Sequence, residues 1–187
     1  LNKDDVMSRY LSGRLQLAQQ HVAEAIIILN KVVQERPNLA PARYTLGLAY
    51  RQQQRFPQAK TAFAEAIKLA PNAVAPHLAL GTLYLQDGDF DLPLAEGQHT
   101  LTLQPQQAQA HLLLGQAYRA KGDVAAAIRA FQTATQQAPQ NPEGYYQLGL
   151  VYRQQQQPQE ALTALEKALA LAPDRLDVLA QIGALYT

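Results

Sequence analysis

Apolar residues recur along this chain at intervals of three and four over stretches of a dozen or so residues, and then the whole pattern starts again. From Ala108 to Lys121, the residues Ala110, Leu113, Leu114, Ala117 and Tyr118 share one side of a helix. Gly122 breaks that helix, and Asp123 is placed to cap the next. Ala127, Phe131 and Ala134 mark the apolar side of a second helix, which Pro139 ends, with Gln140 and Asn141 as a polar corner. The unit predicted is helix, turn, helix, turn.

This unit is written almost six times. Gly13, Gly47, Gly81, Gly115, Gly149 and Gly183 stand thirty-four residues apart, and the last five are each followed three residues later by Tyr50, Tyr84, Tyr118, Tyr152 or Tyr186. Pro37, Pro71, Pro105, Pro139 and Pro173 return at the same interval. Repetition of that length predicts a solenoid, in which each unit buries its apolar face only against its neighbours and the array presents surfaces rather than pockets. Gly inside a helix costs about 1 kcal/mol relative to Ala, so its recurrence implies a packing reason. Small residues such as Gly115 and Ala127 belong where two antiparallel helices approach closely, with Tyr118 and Phe131 filling the space beside them.

With these positions in phase, the chain resembles the tetratricopeptide repeat family. Arg43, Leu46-Gly47, Tyr50, Ala59, Phe63, Ala66 and Pro71 fill one frame of that pattern, and Tyr145, Leu148-Gly149, Tyr152, Ala161, Leu165, Ala168 and Pro173 fill another. The resemblance implies an all-α fold, a right-handed superhelical solenoid of antiparallel helix pairs forming a single array over 1–187. Its repeats are expected at about 6–39, 40–73, 74–107, 108–141 and 142–175, with a lone first helix at 176–187. The first large position is Arg9, Arg43, His77, His111, Tyr145 and Leu179 rather than a consistent Trp, which loosens the pattern without threatening the fold. The first unit has Ser12-Gly13 and Gln16 where Leu-Gly and Tyr would stand. Beginning at Leu1 and stopping at Thr187 within an expected helix, the chain reads as part of something longer.

The third unit departs most. Its second helix, opening Asp91-Leu92-Pro93-Leu94, has Pro93 where Ala is expected and Gly97 where the aromatic should be. If Asp91 is the cap, Pro93 falls in the first turn and breaks nothing. Gly97 removes a core side chain, which is either drift refilled by neighbours or a bend or docking notch.

Composition narrows the chemistry. A net charge of +1 with 17% charged residues gives no bulk attraction to nucleic acid or anionic membrane, and no nucleic-acid partner is expected. Absence of Cys excludes disulfides and thiolate chemistry and leaves the compartment undetermined. The longest apolar run, Ala25 to Leu29, is far short of the roughly 18 residues that would suggest a membrane span. His21, His77, His99 and His111 are too scattered for a metal site, and His77 and His111 read simply as replacements for an aromatic. Serine is confined to Ser8 and Ser12, and Asp87, Asp89 and Asp123 fall at turns as caps. No enzyme, cofactor or metal is expected.

In the family, the first helix of each unit lines a concave face. The resemblance thus places partner-binding positions at Tyr10 with Arg14, Tyr44 with Leu48, Leu78 with Thr82, Leu112 with Gln116, and Tyr146 with Leu150. One turn further come Arg51, Arg119 and Arg153, with Leu85 in the third unit, and at the helix ends Gln52, Gln86 and Gln154. Arg pairs planar carboxylates and stacks on Tyr, so these residues form an anchoring set for acidic and apolar partners, unless the arginines only answer the helix dipole. Family members that clamp the terminal carboxylate of a chaperone use Lys and Asn at the first two positions, and this chain has neither there. Gln52 to Gln54 and Gln154 to Gln157 are either amide ladders for a peptide backbone or solvated helix ends.

The function expected is a protein-protein interaction module or assembly scaffold, holding a peptide or partner helix in the concave groove. Two alternatives remain open. One is a regulatory or substrate-selecting region of a larger enzyme or membrane-anchored protein; the other is a self-associating scaffold that uses Val178, Leu179, Ile182 and Tyr186 at the C-terminal end.

Overall fold

The computed structural model describes residues 3–186, and among these all regular structure is helical. The helices are α1 (Lys3–Ala18), α2 (Val22–Glu35), α3 (Ala40–Gln52), α4 (Phe56–Leu69), α5 (Val74–Gln86), α6 (Asp91–Leu103), α7 (Ala108–Lys121), α8 (Val124–Gln137), α9 (Pro142–Gln154), α10 (Pro158–Leu171) and α11 (Leu176–Gly183). The chain forms two compact units, residues 1–83 and 84–187. In the first, α1 packs on α2, α2 on α3 and α3 on α4; in the second, α6 to α11 pack successively in the same way. Thr187, expected within a helix, lies outside the described residues, and α11 closes at Gly183.

Why these segments become helices can be read from their buried sides. Ala25, Ile26, Leu29 and Val32 of α2 are buried, as are Ala59, Ala62, Phe63 and Ala66 of α4, Ala127, Phe131 and Ala134 of α8, and Ala161, Ala164, Leu165 and Ala168 of α10. Each set spaces at three and four and covers one stripe. In the first, second, fourth and fifth repeats the repeated glycine stands opposite the large residue of the second helix. A Cβ on Gly47 would come 2.5 Å from the Phe63 ring, one on Gly149 2.5 Å from Leu165, and one on Gly13 2.9 Å from Leu29, while Gly115 meets Phe131 in the same manner. The glycines let the two helices of a repeat close on each other.

The turn inside each repeat is also shared. Its left-handed residue is Gln20, Gln54, Gly88, Gly122 or Gln156, with φ of 67°, 59°, 80°, 83° and 56°. The amide of the residue after it returns to the carbonyl at the Tyr position, as from Arg55 to Tyr50, Asp123 to Tyr118 and Gln157 to Tyr152, each at 2.9 Å. This closes the first helix in a Schellman-type cap. At the other end, Arg43 Nε donates to the Pro37 carbonyl at 2.9 Å, the His77 ring nitrogen bonds the Pro71 carbonyl at 2.8 Å, and His111 bonds Pro105. The two histidines therefore do more than replace an aromatic, because each ties its helix to the proline carbonyl that ends the repeat before.

In the third repeat the cap is Asp89, not Asp91. Asp89 Oδ1 accepts from the amides of Asp91 and Leu92, both at 3.1 Å, so Asp91 is already helical and its exposed carboxylate pairs with Lys121 at 2.6 Å. Pro93 is then the third helical residue, still within the first turn and fully buried. Gly97 is buried, and a Cβ there would lie 2.8 Å from Leu114 of α7. The neighbouring repeat fills the space that an aromatic would have taken.

Candidate interaction surface

The residues expected to meet a partner all belong to first helices, and they differ widely in exposure. Tyr10 and Leu112 are buried, at 8% and 9% exposed. Tyr10 is covered by α3, with its hydroxyl 3.5 Å from Thr45 Oγ1, and Leu112 joins the core around Phe131 and Leu148. Tyr44, Leu48, Leu78, Thr82, Gln116, Tyr146 and Leu150 are partly exposed, while Arg14, Arg51, Gln52, Gln86, Arg153 and Gln154 are open to solvent. Thr82 spends its hydroxyl on the Leu78 carbonyl at 2.8 Å. Gln52 bonds Gln20 across the first two repeats.

The aromatic members gather specific neighbours. The Arg14 guanidinium lies 5.7 Å from the Tyr10 ring centroid. Tyr44 packs against Phe63 with ring centroids 5.7 Å apart and planes tilted by 42°. Burial raises the Tyr44 hydroxyl pKa, and the nearby charge of Arg51 pulls it back down. Arg175 lies 4.4 Å from the Tyr146 centroid, inside cation–π range. It also bonds Glu143 at 3.0 Å and Asp177 at 2.5 Å, and these bonds, that to Asp177 foremost, hold its pKa above the usual arginine value.

The arginines expected to act alike do not share one environment. Arg51 and Arg153 are exposed, whereas Arg119 is half-buried and its Nε is enclosed with no hydrogen-bond acceptor among the described residues. Only the first two are free to swing toward a ligand. Arg175 escaped the sequence reading, as did the apolar cavity beside Tyr44, lined by Ala40, Pro41, Ala66, Ala70, Ala73 and Pro76: Arg175, Ala70 and Ala73 lie between helices, and Ala40, Pro41 and Pro76 open their helices outside the repeated core positions. Asking which residue occupies the same repeat position would have revealed them.

A concavity of about 580 Å³ lies between α9 and α10, lined by Tyr145, Tyr152, Ala164, Thr163 and Lys167. Its counterpart between α3 and α4, of about 260 Å³, is crossed by the ion pair of Arg43 with Glu65. Tyrosine hydroxyls stitch successive repeats here: Tyr50 donates to Asn30 Oδ1 at 3.3 Å, and Tyr152 accepts from Gln132 Nε2 at 3.2 Å. No three His, Asp or Glu side chains converge as a metal site among the described residues, and no described helix is long and apolar enough to cross a membrane.

Helix pairs that repeat one glycine seam, one turn and one proline stop define an α-solenoid. The chain belongs to the tetratricopeptide repeat family: profiles described as tetratricopeptide repeat match residues 7–39, 44–98 and 142–175, and one described as TPR repeat matches 115–156. No curated protein sequence matches the chain. Among solved structures, a thermophilic TPR protein of Thermus thermophilus is 19% identical with a TM-score of 0.80, covering 97% of this chain and 98% of its own. The type IV pilus biogenesis factor PilW is 14% identical with a TM-score of 0.86, covering 100% and 90%. YrrB, described as a TPR protein with an unusual peptide-binding site, is 23% identical with a TM-score of 0.72, covering 96% and 92%. At these identities the likeness establishes the fold, and the family membership supports a protein-interaction scaffold in general terms.

Proposed function

We propose that this protein is an interaction scaffold that binds a peptide or partner helix on the face built by its first helices, with Tyr and Leu supplying burial and the exposed Arg51 and Arg153 pairing acidic groups. The observation that carries this reading is the contrast between helices of one repeat. The large residues Leu29, Phe63, Phe131 and Leu165 of the second helices are fully buried, while Tyr44, Leu48, Leu78, Tyr146 and Leu150 of the first helices keep apolar surface in solvent. Partly exposed aromatic and aliphatic residues beside arginines that make no ion pair among the described residues are the composition of a protein-binding surface rather than of a solvated one.

The test is affinity capture from the source cell with the parent chain, beside single variants carrying Arg51→Glu or Arg153→Glu that match it in helicity and melting temperature. A partner held by the parent and lost by either variant supports the reading. Equal retention by both variants refutes the arginine contribution and moves the site to another face.

A second reading, self-association, is favoured by α11. Of the residues expected there, Val178 is buried and Ile182 packs against its core, but Leu179 is 44% exposed and Tyr186 73%, Leu176 beside them is 78% exposed, and a Cβ on Gly183 would meet nothing within 4 Å, unlike the glycines of the paired helices. Sedimentation over a hundredfold dilution separates the two, since a mass that stays monomeric at every concentration removes self-association.

A further inference from the structure

The second and fifth repeats carry the same tyrosine at the same place, Tyr44 and Tyr146, three repeat lengths apart. Over the ring of Tyr146 the fifth repeat lays its own Arg175, held by Glu143 and Asp177. Three repeat lengths before Arg175 stands Ala73, before Glu143 Pro41, and before Asp177 Ala75. The arginine and both of its acids are thus absent together from the second repeat. What remains beside Tyr44 is a cavity of about 200 Å³, walled by Ala40, Pro41, Ala66, Ala70, Ala73 and Pro76, with no charged side chain in its lining.

Size and charge restrict what can enter. Pockets for whole small molecules run to about 300–1,000 Å³, so this cavity suits one side chain of a larger ligand. A cation like Arg175 has no free acid to meet here, because α3 and α5 contain no Asp or Glu and Glu65 of α4 is already paired with Arg43. Burying an unpaired charge in such a wall is costly, whereas an apolar group gains by leaving water. Two turns along α3 from Tyr44, about 10 Å at 1.5 Å per residue, comes Arg51, exposed and in no ion pair among the described residues. An extended peptide advances about 3.3 Å per residue, so three residues span the same distance.

We propose that the second repeat anchors an extended peptide by one leucine-sized apolar side chain in the Tyr44 cavity, with an acidic residue three positions away on Arg51, and that the fifth repeat keeps its equivalent place shut with Arg175. This rests on the reading of the first-helix face as the ligand surface, and it specifies the ligand there.

The experiment is an amide NMR titration of the full chain with a synthetic capped peptide, Gly-Ser-Leu-Ser-Ser-Asp-Ser-Gly, to several millimolar. Two control peptides replace Leu by Ala or Asp by Lys, and one protein variant, Ala73→Leu, fills the cavity with an apolar side chain of the protein's own. The expected result is a set of shifts at Ala40, Tyr44, Ala70, Ala73 and Arg51, with affinity at least tenfold weaker for the Ala peptide and for Ala73→Leu. Because the peptide controls use the unaltered protein, misfolding of the variant cannot produce the first of these losses. Equal binding of the Leu and Ala peptides, tighter binding of the Lys peptide, or no shift at all overturns the proposal. Shifts confined to first-helix residues away from Tyr44 sink the cavity proposal and leave the wider reading standing; shifts confined to second helices sink both.

Discussion

Gln54 holds a backbone conformation that suits it poorly. Its φ of 59°, like those of Gln20 and Gln156, is left-handed, where a side chain costs about 1–2 kcal/mol, and the third and fourth repeats put Gly88 and Gly122 at the same turn position. Gln54→Gly is therefore expected to raise stability by about 1 kcal/mol, after the added chain entropy of glycine in the unfolded state is deducted. Gly122→Gln should lower it by a similar amount; urea midpoints at constant slope measure both. The same site shows where sequence legibility stopped. The Gln tracts read as amide ladders or solvated helix ends, but their third residue closes the turn, and Gln carries no propensity signal that announces a positive φ. His111 makes the second residue-scale prediction. Burial lowers its pKa below the ordinary 6.5, against a weaker opposing effect of the bond to the Pro105 carbonyl. The native state thus prefers the neutral ring. Its contribution is complete above pH 6.5 and is lost as pH falls through that value toward the lowered folded pKa. His111→Gln, which keeps a side-chain N–H for the carbonyl, should flatten that part of the stability-versus-pH curve; an unchanged slope would assign it to other groups.

Helices of this chain pair because the first, second, fourth and fifth repeats each set a glycine against a large residue. Adding a methyl to Gly47 or Gly115 drives it into the ring of Phe63 or Phe131, neither of which can move without leaving its own core position. Overpacking costs about 1–3 kcal/mol, and the helix propensity gained from Gly to Ala returns up to about 1. Both variants are accordingly expected to lose on the order of 1–2 kcal/mol, whereas Gly183→Ala, whose Cβ meets nothing, should gain stability and helicity in α11. Circular-dichroism melts of the three variants distinguish a seam from simple propensity, since propensity alone would stabilise all of them. This level of structure was largely legible, because Leu-Gly, Tyr, Ala, aromatic and Pro each have one physical task and recur in phase. The exceptions were local. Asp89 rather than Asp91 caps α6, since either acid fits the spacing, and the filler for Gly97 came from Leu114, which no pattern within the third repeat could indicate.

At the scale of the whole molecule, periodicity tells which side of a helix a residue occupies but not how deeply its neighbours cover it. Tyr10, Tyr44 and Leu112 hold one repeat position, yet Tyr10 is covered by Thr45 and Leu112 by the core around Phe131, so of these three only Tyr44 presents surface to a ligand. The same distinction governs the arginines and yields the last prediction. Charge reversal at Arg51 in the first unit or Arg153 in the second changes an exposed side chain that makes no ion pair among the described residues, so stability should stay within about 0.5 kcal/mol of the parent. Arg119→Glu places a carboxylate where a guanidinium nitrogen is enclosed without an acceptor, and it should lower the melting temperature clearly. Binding of an acidic partner separates the roles further. An exposed charge pair contributes about 0.2–1 kcal/mol, and reversal adds repulsion to that loss, so Arg51→Glu or Arg153→Glu should weaken binding several-fold and the loss should shrink at high salt. A variant that binds normally in both low and high salt has an arginine answering only its own helix dipole. If Arg119→Glu instead lost partner binding with no loss of stability, its half-buried guanidinium would be a ligand contact after all, and the division between exposed and enclosed arginines would fail.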